Sequence, residues 1–162
     1  MGMDVYGRKP KNEKGEYFRN NVWFWHPLWD YCLLMYPKVT SKCKDGHSNS
    51  GDGLNASDSK KLATLIKKDL DNGNAVLYAK KYQEWQDSLE KEECTICSGS
   101  GKRLIKSKLF DDSVDEIEEE KICNGCNGEG KRASWFTNYP FTVENLKEWQ
   151  EFLDNCGGFN IY

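Results

Sequence analysis

No apolar run in the chain approaches the roughly 20 residues that a membrane-crossing helix needs, and the mean hydropathy is −0.82. A membrane-spanning role is therefore not expected. The opening stretch "MGMDVYGRKPKNEKGEYF" lacks the apolar core of a secretory signal. Tyr6 stands where an N-myristoylation motif wants Ser or Thr. A cytoplasmic protein is the expectation. A strong positive charge is also missing. The net charge is −3, and the segment "DDSVDEIEEEK" (111–121) gathers seven acids and one Lys, leaving the rest only weakly positive. Nucleic-acid binding, which asks for a basic face, is disfavoured. There is no P-loop, no dinucleotide fingerprint and no calcium-loop spacing. No nucleophile–base–acid pattern can be assembled either, so an enzyme is not expected.

What is present is aromatic and sulfurous. Aromatic residues make up 13% of the 162, including six Trp, so large flat side chains must carry much of a core that a chain of this length can bury. Of seven cysteines, four stand in C-x-x-C pairs. In a reducing compartment that arrangement favours metal binding over disulfides.

The pairs belong to a ten-residue pattern written twice: "CTICSGSGKR" (94–103) and "CNGCNGEGKR" (123–132). Two tight turns presenting Cys94, Cys97, Cys123 and Cys126 would complete a tetrahedral site of four thiolates for one structural Zn²⁺. The x-G-x-G tails permit positive φ and let backbone N–H groups meet the sulfurs. Four thiolates on Zn²⁺ leave a charge of −2 to offset, and the Lys102–Arg103 and Lys131–Arg132 pairs are placed to help. Between the knuckles, "KRLIKSKLF" and "VDEIEEEKI" read as the arms of a hairpin, basic against acidic. The C-x-x-C-x-G-x-G pattern resembles the cysteine-rich zinc domain of DnaJ-type chaperones. That domain carries four such repeats and two zincs, so the resemblance implies half of it, with one zinc. "HPLWD" (26–30) does not reproduce the His-Pro-Asp motif of those co-chaperones.

Around this module the spacing predicts a mainly α (α+β) fold. Residues 1–162 are expected to form one compact helical domain, with a zinc-stapled β-hairpin (94–132) inserted before its last helix. The first twenty residues read as an extended arm. Alternation in Val22–Trp23–Phe24–Trp25 favours a short strand with Trp23 and Trp25 on one face. Pro27 fits the first turn of a helix that Pro37 closes. A second helix is expected from Ser57 or Asp58 to about residue 71, a third from Ala75 to Glu90, and a last after Thr142. "EWQDSL" and "EWQEFL" are read as two amphipathic helices each burying a Trp.

Aromatic planes beside hydrogen-bond donors suit a small polar, nucleotide-like ligand. The candidate pocket comprises Arg19, Asn20, Asn21, Trp23 and Trp25 with His47, Asn49 and Asp52 of the Gly-rich loop. The other reading makes the two Trp core and the Asn residues backbone anchors. Cys32, Cys43, His47 and Cys156 are a candidate second metal set, and Cys43 with His47 a candidate nucleophile and base.

Read together, "MGMDVYG", "YFRNNVWFWHPLWDYC", "GHSNSGDGL", "CNGCNGEG" and "YPFTVENLKEWQEFLDNCGGF" resemble a family of small proteins from bacteriophages and bacterial genomes, with His26 where that family carries Arg and Ser50 where it carries Asp. The resemblance implies the context of a phage-type accessory or anti-defence protein in the cytoplasm of a host bacterium but carries no activity over. In that context sequestering a host signalling nucleotide is a natural job for the candidate pocket. The alternative is an interaction module that docks a host protein through the acidic hairpin tip.

Overall fold

In a computed structural model, which describes residues 2–108 and 116–162, the chain is a mixed α+β protein. It falls into two units, Met1–Gln86 with Asn138–Tyr162, and Asp87–Thr137.

The first unit begins with strand, not with an extended arm. β1 (Gly2–Gly7) and β2 (Tyr17–Asn21) form an antiparallel hairpin with Met3 opposite Asn20 and Val5 opposite Phe18. β7 (Phe159–Ile161) pairs with the other edge of β1, giving the order β2-β1-β7. The period-2 alternation sends Met3, Val5, Phe18, Phe159 and Ile161 inward and leaves the opposite face to solvent.

Helix α1 (Val22–Met35) follows β2 directly, because the Asn21 side chain accepts the Phe24 N–H at 3.1 Å and caps the first turn. This overturns the strand expected at 22–25. It also puts Pro27 five residues inside the helix rather than in its first turn. On a helix, Trp23 and Trp25 point some 200° apart: Trp25 is fully buried, and Trp23 packs half-buried on Tyr139 with ring centroids 4.9 Å apart. Pro37 does end α1 and opens α2 (Pro37–Thr40). α3 (Ala56–Asp71) is capped by Asn55, whose side chain accepts the Asp58 N–H, rather than by Ser57 or Asp58. α4 spans Asn74–Asp87, short of the expected Glu90. α5 (Val143–Asn155) starts on Thr142 as its sequence predicts, and Gly157 and Gly158, at φ 63° and 93°, turn the chain away from it into β7.

The core lies between the sheet, α1, α3 and α5. Trp25 and Trp29 stack one helical turn apart, with centroids 5.8 Å apart and planes 5° from parallel. Trp149 stands edge-on to Trp25 at 5.2 Å. Trp149 is fully buried, whereas Trp85 in the matching six-residue stretch is 43% exposed, so only one of the two helices buries its Trp. Asp69 is a buried acid held by donors: the Tyr31 hydroxyl at 2.9 Å, the Tyr36 hydroxyl, and the Asn74 amide at 3.1 Å. Burial works against its charge, but those donors outweigh it and hold the carboxyl below the usual carboxylate range.

The second unit is a ribbon on two knuckles. β4 (Lys102–Lys108) pairs antiparallel with β5 (Glu116–Ile122) in the register Lys102↔Ile122 to Lys108↔Glu116. The expected unlike-charge contacts form, Lys102 to Glu120 at 2.8 Å and Lys106 to Glu118 at 2.9 Å. Two-residue strands β3 (Glu92–Glu93) and β6 (Lys131–Arg132) close its base. The acidic tip falls largely on residues 109–115, outside the described residues.

Candidate metal centre

The two knuckles fold alike, atom for atom along the backbone. In the first, the N–H groups of Cys97 and Gly99 both donate to Cys94 O, at 3.3 and 3.2 Å, and Ser100 N donates to Cys97 O. In the second, Cys126 and Gly128 donate to Cys123 O, at 3.4 and 3.2 Å, and Glu129 N to Cys126 O. Ser98 and Asn127 occupy the left-handed region at φ 48° and 50°. The halves then cross-link reciprocally: Cys94 N donates to Gly130 O at 2.8 Å, and Cys123 N to Gly101 O at 2.9 Å. The ten-residue repeat in sequence is thus a local two-fold in space.

This symmetry brings all four sulfurs within 4.8 Å of one another. Cys94 and Cys123 Sγ are 3.9 Å apart, and Cys97 and Cys126 Sγ 3.7 Å. Four thiolates at about 2.3 Å from a tetrahedral ion would lie about 3.8 Å apart, a spacing these two pairs match, and the set is suited to hold a metal ion. Disulfide bonds need about 2.05 Å, and all seven cysteines are free. Gly101 N donates to Cys97 Sγ at 3.3 Å and Gly130 N to Cys126 Sγ at 3.2 Å. Those amides are the groups that face sulfur. The Lys102–Arg103 pair does otherwise: Lys102 pairs with Glu120, and Arg103 donates to Asn124 at 2.9 Å.

Crowded thiols do not ionise alike. Burial opposes ionisation of Cys94, but the amides of Ile96 and Cys97 and the neighbouring thiols outweigh it and bring that thiol down to about 7. Burial and the Cys97 and Cys123 thiols push Cys126 up to about 11.

Elsewhere the expected constellations divide. Trp25 is core, its indole N–H donating to Gly46 O at 2.8 Å. Asn20 is buried and bonds Asn145 at 2.7 Å. Asp52 accepts the N–H groups of Asp45 and Gly53 and thereby shapes its own loop. These three have structural roles, because the sheet and the loop both need their polar atoms. Arg19, Asn21 and Asn49 remain on one edge, around Gly2, and His47 sits apart from them, against α1. The Asn49 amide donates to Gly2 O at 3.2 Å, Gly2 pairs with Asn21, and the Arg19 guanidinium lies over Gly2. Cys32, Cys43 and Cys156 are each buried, and burial pushes the first two thiols up to about 12. Among the described residues only the four knuckle cysteines gather within ligand reach, so the second metal set is not assembled. Nor does His47 act on Cys43: its Nε2 meets Asp30 Oδ1 at 2.9 Å and its Nδ1 meets His26 Nδ1 at 2.8 Å. His26 and Asp30, absent from the candidate pocket, stand four apart on α1. That spacing was the only signal available.

Compared with protein-family models, with curated proteins and with solved structures, the chain matches none. Among the described residues no helix is long and apolar enough to cross a membrane.

Proposed function

We propose that the chain is a non-enzymatic binding protein stabilised by one structural zinc ion, a phage-type accessory protein that takes a small polar, nucleotide-like ligand. The observation that carries the zinc assignment is the set of four sulfurs within 4.8 Å of one another, with two backbone amides donating to them. Four thiolates favour Zn²⁺ over hard cations, and a site closed by four protein ligands is structural rather than catalytic. Metal analysis of freshly purified protein should find one equivalent of zinc. Cys94→Ser should lose it, together with the amide protection of β4 and β5, since structural zinc binding and folding are coupled. Less than half an equivalent in the unaltered protein would refute the assignment.

The ligand reading rests on the edge around Gly2, where Arg19, Asn21 and Asn49 lie. A guanidinium and two amides suit an anionic, hydrogen-bonding group. A thermal-shift screen against mononucleotides, cyclic nucleotides and NAD-derived compounds should find one that raises the melting temperature, and Arg19→Ala should abolish that shift. No shift across the panel, at concentrations where a micromolar binder gives several degrees, would end this reading.

A second reading has its own support. On one face of the β4–β5 ribbon Leu104 and Ile122 are 70% and 72% exposed, with Ile96 nearby at 49%. Exposed apolar side chains on a charged ribbon mark a protein-docking surface. Leu104→Ser combined with Ile122→Ser, both knuckles intact, should then abolish recovery of a partner from host lysate, and unchanged recovery would exclude it.

A further inference from the structure

The chain contains two histidines, and the fold brings them together. His26 comes from α1 and His47 from the loop between α2 and α3, 21 residues on. Their Nδ1 atoms lie 2.8 Å apart, their ring centroids 4.7 Å apart, and Asp30 takes the far nitrogen of His47 at 2.9 Å. We propose that Asp30, His47 and His26 form a clasp that tolerates one added proton but not two, and that the second proton releases the loop from α1.

Proton counting gives the mechanism. Two nitrogens 2.8 Å apart need one hydrogen between them. With both rings neutral, His47 carries its proton on Nε2 and donates to Asp30, which leaves its Nδ1 as acceptor. His26 must then carry its proton on Nδ1 and donate across the gap. One further proton is accommodated: His47 becomes imidazolium between the Asp30 carboxylate and the His26 Nδ1 lone pair, while the His26 proton moves to Nε2. A second proton leaves both rings with N–H on every nitrogen. Two N–H groups, each on a cation, then face one another at 2.8 Å. The contact must open.

The surroundings set where this happens. Burial, and then the adjacent His47, hold the His26 imidazole below the ordinary histidine range against the opposing pull of Asp30. His47 and Asp30 are the charges that act on His26, and phenols stand beside them. The Tyr139 ring lies edge-on to His26 at 5.9 Å, and Tyr78 and Tyr82, which sense the Asp30 charge, are raised by burial. None of them supplies a second carboxylate to pair with a second cation. The clasp therefore holds through neutral pH and opens on the acid side of the usual histidine range.

What it fastens is the cover of the tryptophan stack. Gly46, next to His47, accepts the Trp25 indole N–H at 2.8 Å, and its Cα lies so close over Trp29 that an added Cβ would meet Trp29 Nε1 at 2.1 Å. Releasing His47 loosens that cover. The Trp25 indole N–H is thus a reporter inside the protein itself.

The experiment is ¹⁵N NMR on the full chain between about pH 7.5 and pH 5. Imidazole nitrogen shifts should show His26 protonated on Nδ1 and His47 on Nε2 at the high end. The two protons should be taken up by the pair in separate steps. Hydrogen exchange at the Trp25 indole, corrected for the intrinsic pH dependence, should accelerate about tenfold or more across the second step. In His26→Phe and His26→Gln it should show no such step. Two independent titrations with ordinary histidine values, or the same corrected exchange profile in the wild type and either variant, would overturn the proposal. The imidazole shifts decide on the unaltered protein even if both variants fail to fold.

Discussion

Replacing Gly130 with alanine tests the metal centre at its most constrained point. Gly130 sits at φ 72°, and a Cβ there would lie 2.1 Å from Gly99 O, where 3.4 Å is ordinary contact. The obstacle is backbone of the other knuckle, so it cannot swing aside as a side chain would. Left-handed backbone costs an alanine about 1–2 kcal/mol. Pushing the knuckles apart also weakens the 3.2 Å bond from Gly130 N to Cys126 Sγ, and a hydrogen bond to a charged acceptor contributes about 1.5–3 kcal/mol. Together these reach about 3 kcal/mol or more, which weakens zinc binding by a hundredfold or more at about 1.4 kcal/mol per decade. Competition against a chromogenic zinc chelator measures this directly. Gly73→Ala is the control. Its φ of 82° imposes the same backbone penalty, but nothing lies within 4 Å of the new methyl, so the protein should lose a little stability while its zinc affinity stays put. A Gly130→Ala protein that binds zinc within about threefold of wild type would refute the claim that knuckle-to-knuckle contact sets affinity.

Two further outcomes follow from the first unit. Asp69 has its carboxyl depressed in the folded state, so its contribution to stability is present above the unfolded value near 4 and fades as pH falls through the folded value. Urea titrations from about pH 7 to pH 3 should show Asp69→Asn less stable at neutrality by about 1–3 kcal/mol and less acid-sensitive than wild type; parallel pH curves would refute this. Trp149→Ala should cost about 3–5 kcal/mol in chemical denaturation, and Trp85→Ala less than half as much, because Trp85 keeps 43% of its surface in water; equal losses would contradict the packing described.

The knuckles were legible because everything they need is written within ten residues: two thiols, two glycines and the spacing of one tight turn. α5 was legible for a similar reason, with Thr142 as cap and Leu146, Trp149, Phe152 and Leu153 on one face. α1 was misread because Trp-Phe-Trp mimics strand alternation and Pro27 mimics a helix start. The deciding signal was Asn21, a cap three residues before Phe24, and an interior proline removes only one helical hydrogen bond. β1 hid among glycines and polar residues because its stability comes from strands far along the chain. The candidate pocket failed at Trp25 for a related reason. Whether an indole lines a cavity or fills a core depends on what packs over it, and that is Gly46, brought there by a loop. The pairing of His26 with His47 has no sequence period at all.

The middle strand of the three-stranded sheet has consequences for how the protein is made. β1 leaves the ribosome well before β7, which completes its ladder, as the Arg8–Asn160 contact across 152 positions illustrates. The β1–β2 hairpin can form early, but an isolated hairpin is marginal in water, and its apolar face, including Phe18, waits for α5 and β7. The second unit, by contrast, is continuous in sequence, and the bonds that join its two knuckles lie within it. During synthesis the stapled ribbon can therefore be finished while the tryptophan core is still open. Refolding of that core should be the slower, contact-order-limited phase.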